Sequence, residues 1–388
     1  MDAYFEKCKE FEDWRDALKR YVIASLMVMS VKHNANRPIR AVSKSWNSLI
    51  DSTEFIANYH SINGQHRVLV TYSDSSIEKD GVKYVSIMND DSFPRHMFPV
   101  VAPPNIRHLL GNCPSIYGSS QGVFCMCVNF RDNCYWSSPC EEKTFVLWNP
   151  TIRKSVHVVV PGNLKYMEFI SVIGFGVCPR TSDPKLVKIS YITKLQYMEI
   201  RTPKVEIFSL SLGYWRSLSM NVPRTSIELD EEHVCVDKCI YWDAFDRTGA
   251  GETEKFRKLL LSFDMTTEEF TEIDLPNNLA YCNGYLSIYK VWTSLLVLAP
   301  NDDSLEGYCV WRMEHGVSNS FTKLSVFESL WIPDFRITGE PIIEPIIDDI
   351  KNAVVVYESK LGESIDAGIA IDVRSANSYI ETLLLLDH

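Results

Sequence analysis

A group of closely spaced cysteines is the first feature of the chain that could do chemistry, and it comprises Cys113, Cys125, Cys127, Cys134 and Cys140. Zinc sites favour paired thiolates two to four residues apart, so that both sulphurs reach one tetrahedral ion. Cys125 and Cys127 are instead separated by one residue within GVFCMCVNF, where strand alternation places both thiols on one face. We therefore expect them to pack in the core, and no metal site is predicted.

The remaining reactive side chains form no recognised catalytic pattern. Nine histidines and fifty carboxylates are present, but neither a metalloprotease helix motif nor a Walker-type or dinucleotide-binding phosphate loop occurs. The Cys235–Cys239 pair has no second pair nearby, and GFG at 174–176 is interpreted as a tight position in a strand. We expect no catalytic residue and no cofactor.

Three short acidic runs are predicted to be solvated loop surface. They are Asp230-Glu231-Glu232, Asp302-Asp303 and Asp348-Asp349. The alternative is that they form a rim that selects basic partners.

Charge and composition limit the classes of partner. The chain of 388 residues has 39 basic and 50 acidic side chains, a net charge of −11, which argues against binding to nucleic acid or to an anionic membrane. The apolar stretch Tyr21–Val31 is about half the length of a membrane span. Eleven cysteines, an odd number, and the lack of an Asn-x-Ser/Thr acceptor favour a reducing cytoplasmic or nuclear location.

Residues 11–56 have helical periodicity. Apolar residues from Trp14 to Met29 follow the spacing of one helix face, HNANRP at 33–38 interrupts the pattern, and a second helix is predicted from Ile39 to Ile50. From about residue 66 the pattern changes to short β-rich runs separated by Asp, Ser, Asn, Gly and Pro, which is typical of an all-β meander.

A hairpin-like phrase recurs through this β-rich part. Its marker residues are Trp148, Phe208, Phe263, Trp311 and, more loosely, Asp372. The intervals between markers are 60, 55, 48 and 61 residues, and periods of this size with about four strands each are typical of β-propeller blades. We expect the aromatic markers and Trp215 to be core residues, because one hairpin cannot bury its apolar face alone.

These phrases, in this order, resemble plant F-box proteins with an F-box-associated, kelch-like domain, the broad group that includes the S-locus F-box proteins. The resemblance lies in GSSQGVFCMC (118–127), VLWNPTIRK (146–154), GFGVCPRTSDPKLVKI (174–189), VEIFSLSLGYWRSL (205–218), KCIYWDAFD (238–246), LLSFDMTTEEFTEIDLP (260–276), GYLSIYK (284–290) and YCVWRMEHGVSNSFTKL (308–324). Upstream, VSKSWNSLI (42–50) is similar to the closing helix of an F-box.

The resemblance implies a mainly β protein in two parts: a short helical F-box at 11–56 and a propeller-like, substrate-binding domain at 66–388. It implies a substrate-recognition adaptor of an SCF (Skp–cullin–F-box) ubiquitin ligase, which performs no bond chemistry. Its partners would be a Skp-type adaptor, a cullin scaffold reached through that adaptor, and an unidentified substrate protein. The implied adaptor-docking residues are Leu26, Met29, Val31, Val42, Trp46, Leu49 and Ile50.

Two other functions remain open. The F-box departs from the family pattern, with Ala17-Leu18 and Ser30 in place of its usual prolines and with Pro38 in a lengthened segment. The chain could therefore be a stand-alone binding module whose helices only pack against the β domain. An enzyme built on a propeller is the third interpretation. The loops at 127–142, 244–255 and 331–341 are candidates for binding the substrate.

Overall fold

The computed structural model describes most of the β-rich part of the chain. The described residues are 64–73, 82–93, 96–102, 115–128, 144–161, 168–193, 203–248, 256–301, 307–314, 320–327, 332, 334–343, 353–358, 363–370, 372–384 and 386. The predicted helical segment 11–56 lies outside them, and so do its seven docking residues. Within these ranges, none of the helices has the length and hydropathy that crossing a bilayer requires.

Strands account for almost all of the regular structure in the described ranges. They are β1 (His66–Ser73), β2 (Lys83–Met88), β3 (Met97–Val100), β4 (Ser115–Ser120), β5 (Val123–Val128), β6 (Thr144–Asn149), β7 (Lys154–Val159), β8 (Glu168–Cys178), β9 (Asp183–Thr193), β10 (Lys204–Ser209), β11 (Tyr214–Leu218), β12 (Ile227–Val236), β13 (Cys239–Asp246), β14 (Arg257–Asp264), β15 (Glu269–Asp274), β16 (Ser287–Val291), β17 (Ser294–Pro300), β18 (Tyr308–Met313), β19 (Phe321–Phe327), β20 (Asp334–Phe335), β21 (Pro341–Ile343), β22 (Ala353–Glu358), β23 (Glu363–Ala370) and β24 (Asp372–Ile380). One short helix, α1 (Asn277–Ala280), links β15 to β16. The mainly β prediction is confirmed.

The described strands form six antiparallel sheets of four strands each, which are the blades of a β-propeller. Five blades are sequential: β4–β7, β8–β11, β12–β15, β16–β19 and β20–β23 are blades 2 to 6. Blade 1 has the order β24-β1-β2-β3, so the last strand of the chain pairs with the first. The first strand of each blade contacts the first strands of both neighbouring blades, and these six strands surround the axis.

The recurring phrase is the hairpin of the third and fourth strands of a blade. Trp148, Phe208, Phe263 and Trp311 lie in the third strands of blades 2 to 5. The Asp372 marker was wrong, because this residue begins β24, the inner strand of blade 1, whereas the corresponding hairpin of blade 6 is β22–β23.

Apolar residues from adjacent blades pack against each other and form the core. Trp148 and Phe263 are fully buried, whereas Trp215 and Trp311 are only partly buried against neighbouring clusters. The core prediction is therefore confirmed in full for the markers Trp148, Phe208 and Phe263, and in part for the marker Trp311 and for Trp215. Alternation along β5 is also confirmed, since Cys125 and Cys127 share one apolar cluster while Phe124 and Met126 face another.

Candidate functional site

A cavity of about 650 Å³ opens at one end of the propeller axis. This end, which we call the turn face, carries the turns that join the first and second strands of the blades. Residues from all six blades line the cavity, and each of the turns of blades 2 to 6 contributes at least one: Gln121, Ser182, Asp237, Trp292 and Ile337. Cavities of this size are typical of ligand-binding sites.

Trp292 is the most unusual residue of the cavity wall. It has a left-handed backbone conformation, with φ of 54°, which is costly for a bulky residue and is normally taken by glycine or asparagine. Its side chain is 61% exposed, and its ring stacks on that of His66 with 5.0 Å between centroids. The turn therefore presents an indole ring to the cavity at a conformational cost.

Two polar groups of the cavity wall make no hydrogen bond to a described residue. Lys290 is half-buried, and its ammonium makes no hydrogen bond or ion pair with any residue that the structure describes. Asn89 is buried, and its Oδ1 has no hydrogen-bond partner among the described residues. The Lys290 side chain lines the cavity and can contact a ligand, whereas Oδ1 of Asn89 is enclosed by the surrounding residues.

A second cavity, of about 620 Å³, adjoins the first on the side of blades 1 and 2. Arg67 and Tyr379 line both cavities. The guanidinium of Arg67 lies 4.8 Å from the centroid of the Phe98 ring and pairs with Glu381 at 2.7 Å. These contacts hold the wall that the two cavities share.

Below the cavity, the axis is filled by side chains of β12. The backbone N–H of Phe175 donates to Nε2 of His233 at 3.0 Å, and the His233 ring lies 5.0 Å from that of Tyr117. Burial lowers the pKa of His233 to about 4, so the imidazole is neutral and accepts this bond. His233 therefore has a structural role at the axis.

The glycines of the neighbouring strands allow this close packing. A Cβ atom at Gly118 would lie 2.7 Å from Nε2 of His233, and one at Gly176 would lie 2.5 Å from Sδ of Met265. A Cβ atom at Gly174 would overlap the ring of Trp242. The interpretation of GFG as a tight strand position is confirmed.

GSSQG at 118–122 matches the G-x-S-x-G spacing of serine hydrolases, so the expectation that the chain holds no recognised catalytic pattern was wrong at this position. That pattern activates a serine on a turn from a strand to a helix, but here it closes the hairpin of β4 and β5. The Ser120 hydroxyl is buried, accepts the N–H of Val177 at 3.0 Å and donates to Sγ of Cys235 at 3.2 Å. The motif is therefore structural.

The first acidic run lies in a strand and not in a loop as predicted, although Glu232 is exposed. Residues 230–232 lie within β12, where a bulge places them opposite Asp243. Hydrophobic periodicity could not reveal this, because bulge residues follow no alternation. The other two acidic runs lie outside the described residues.

Asp243 is a buried carboxylate whose Oδ1 has no hydrogen-bond partner in the described structure. Burial raises its pKa to about 7, Lys258 opposes this shift, and Asp230 and Glu232 add to it. Between about pH 4 and pH 7 the Asp243 carboxyl is protonated in the folded protein and ionised in the unfolded chain. The free energy of unfolding therefore falls as the pH rises through this range.

We expect Asp243→Asn to stabilise the protein, and by about 2 kcal/mol more at pH 7 than at pH 5. Urea unfolding of variant and parent at several pH values measures this difference. The control is Asp246→Asn on the same strand. Burial alone would raise the pKa of Asp246, but hydrogen bonds from Thr248 and Arg224 lower it to about 2. This control should destabilise at pH 7 and lose its effect as pH falls below 4, and a pH-independent effect of Asp243→Asn would contradict the assignment.

The fold and the site define a six-bladed β-propeller with an open axial cavity. The chain belongs to the F-box associated beta propeller domain family, whose model matches residues 128–383. The predicted resemblance to plant F-box proteins with an F-box-associated domain is thereby confirmed.

Curated relatives come from Arabidopsis thaliana. The putative F-box protein At1g46840 is 22% identical over 263 residues, which are 65% of this chain and 50% of the relative. The putative F-box/kelch-repeat protein At1g62270 is 26% identical over 204 residues, 50% of this chain and 49% of the relative. The chain thus spans about half the length of these relatives.

Solved structures with a similar course of the chain include TolB from Acinetobacter baumannii. It has a TM-score of 0.44 and 8% identity, over 84% of this chain and 71% of TolB. The β-propeller domain of the Trilobed protease from Pyrococcus furiosus has a TM-score of 0.36 and 12% identity, over 65% and 68% of the respective chains.

Proposed function

We propose that the protein is the substrate-recognition subunit of an SCF-type ubiquitin ligase. In this proposal residues 11–56 bind a Skp-type adaptor, and through it a cullin scaffold, while residues 66–388 capture a substrate protein. The observation that carries the proposal is membership of the F-box associated family in a chain with the F-box-like phrase VSKSWNSLI at 42–50.

Such a subunit acts without bond chemistry of its own. By holding the substrate near the ubiquitin-loaded enzyme it raises the effective concentration of a substrate lysine. Gly64, which precedes β1, lines the axial cavity, so the chain enters the propeller at the turn face. The cavity at this end supports a substrate site on the turn face. The site of action would be the cytoplasm or the nucleus.

The adaptor-docking surface is proposed to be centred on Trp46, because a buried tryptophan is the commonest kind of interface hot spot. Trp46→Ala should reduce the amount of Skp-type adaptor that co-purifies with the full chain by at least about tenfold. Trp292→Ala, a tryptophan change in the propeller, should leave adaptor binding unchanged.

Failure of the intact, folded chain to bind the adaptor would contradict the proposal and favour a stand-alone binding module. Replacing residues 17–38 by a standard F-box segment then tests whether the chain has lost adaptor docking. Restored binding would show a chain that had lost docking, as the departures at Ala17, Ser30 and Pro38 would suggest.

A further inference from the structure

The axial cavity has few charged side chains, and one of them is a lysine that forms no ion pair with a described residue. Its charged lining residues are Arg67, Lys290 and Asp237. Since Arg67 is paired with Glu381, Lys290 is the lining cation without a hydrogen bond or ion pair to any described residue. The charge of Lys290 acts on the buried carboxyl of Asp334, but its ammonium lies beyond ion-pair distance of every described carboxylate, so an anionic group of a ligand would stabilise it further.

Trp292 lies two residues from Lys290, on the turn after β16, and both residues line the same cavity. Gln121, Ser182 and Asp237 take the same left-handed conformation in the corresponding turns of blades 2 to 4, so the turn sets this conformation. The exposed indole ring of Trp292 is particular to blade 5. Aromatic rings prefer to stack on other rings, and His66 already covers one face of Trp292. An aromatic side chain of a ligand can therefore pack on the exposed part of this ring.

The size of the site favours a polypeptide over a small molecule. The second cavity, of about 620 Å³, shares Arg67 and Tyr379 with the first. Its wall includes the exposed apolar side chains of Phe98 and Val101. Two adjoining cavities across blades 1, 2 and 5 provide a path for an extended chain.

We propose that the turn face binds a segment of a partner polypeptide that carries an acidic side chain beside an aromatic one. The carboxylate pairs with Lys290 and the aromatic ring packs on Trp292. This inference deepens the proposed function, on which its assignment as a substrate-recognition site rests.

The test is selection of a phage-displayed library of random ten-residue peptides on the full chain. Enriched peptides should combine Asp or Glu with a neighbouring aromatic residue. The affinity of the synthetic consensus peptide should fall about tenfold for Lys290→Gln and about tenfold for Trp292→Gly. Because glycine accepts the left-handed conformation, Trp292→Gly should melt no lower than the parent.

Matched controls are Lys323→Gln, an exposed lysine on the outer strand of blade 5, and Tyr285→Ala, an aromatic residue that is 83% exposed outside the cavity. Both should bind the consensus peptide normally. Enrichment without acidic residues, or equal losses in the controls, would overturn the proposal. Equally tight binding of N-acetylphenylalanine alone would also overturn it and indicate a small-molecule site.

Adaptor binding is measured separately on the same preparations. Peptide binding without adaptor binding would overturn the ligase function but keep this site. Adaptor binding without peptide selection would overturn this site but keep the ligase function.

Discussion

Replacing Gly174 by alanine is expected to lower the free energy of unfolding by about 3 kcal/mol. Gly174 lies on β8, and its added methyl group would overlap the Trp242 ring and lie 2.8 Å from Cγ2 of Ile240. Trp242 and Ile240 are fully buried in the cluster between blades 3 and 4, so they cannot move aside without disturbing the core. Urea unfolding measures the loss.

The control for this change is Gly339→Ala. Gly339 has a φ of 95°, and a Cβ atom there would have no neighbour within 4 Å. This variant should lose only about 1 kcal/mol, the cost of a left-handed conformation for alanine. Equal losses at the two sites would show that β8 and β13 separate easily, which would contradict the tight packing described for the axis.

Replacing Glu381 by alanine should destabilise the protein by about 3 kcal/mol, because it leaves the buried guanidinium of Arg67 without its anion. The two side chains are 12% and 9% exposed, and their ion pair joins β1 to the segment after β24. Arg67 would keep its hydrogen bonds to Ser86 and Gln65, but these side chains are neutral and do not compensate the charge of the guanidinium. The loss is measured by urea unfolding at pH 7.

Asp274→Ala is the matched control, since it removes the acid from the ion pair of Arg257 and Asp274, whose side chains are 42% and 55% exposed. Exposed pairs contribute less than about 1 kcal/mol. If Glu381→Ala costs no more than this control, then closure of the propeller does not depend on the buried pair.

Local sequence pattern was sufficient to predict most of the blades. Strands such as β6 and β10 are apolar runs bounded by turn residues, and the hairpins that contain Trp148 and Phe208 recur because neighbouring blades must present similar apolar faces. Alternation likewise predicted that Cys125 and Cys127 share one face.

The sequence pattern gave wrong predictions where a strand pairs with a distant part of the chain or contains a bulge. Asp372 belongs to a strand that pairs with β1, about 300 residues earlier in the chain. The spacing of a local repeat cannot indicate a partner so far away. The run at 230–232 was misjudged because a bulge carries acidic residues into an inner strand. The segment before the first marked hairpin shows no copy of the recurring phrase, yet it supplies β1 to β3 of the blade that β24 completes.

By itself, the amino-acid sequence determined the β-rich class of the chain, its blade-sized repeat and its family, because these depend on short-range alternation and on ordered phrases. Only the tertiary structure decided the number of blades, their closure through β24 and the axial cavity. The cavity brings Lys290 and Trp292 next to His66, Asn89 and Arg67. These residues lie far apart in the chain, and they come together because six inner strands close around one axis.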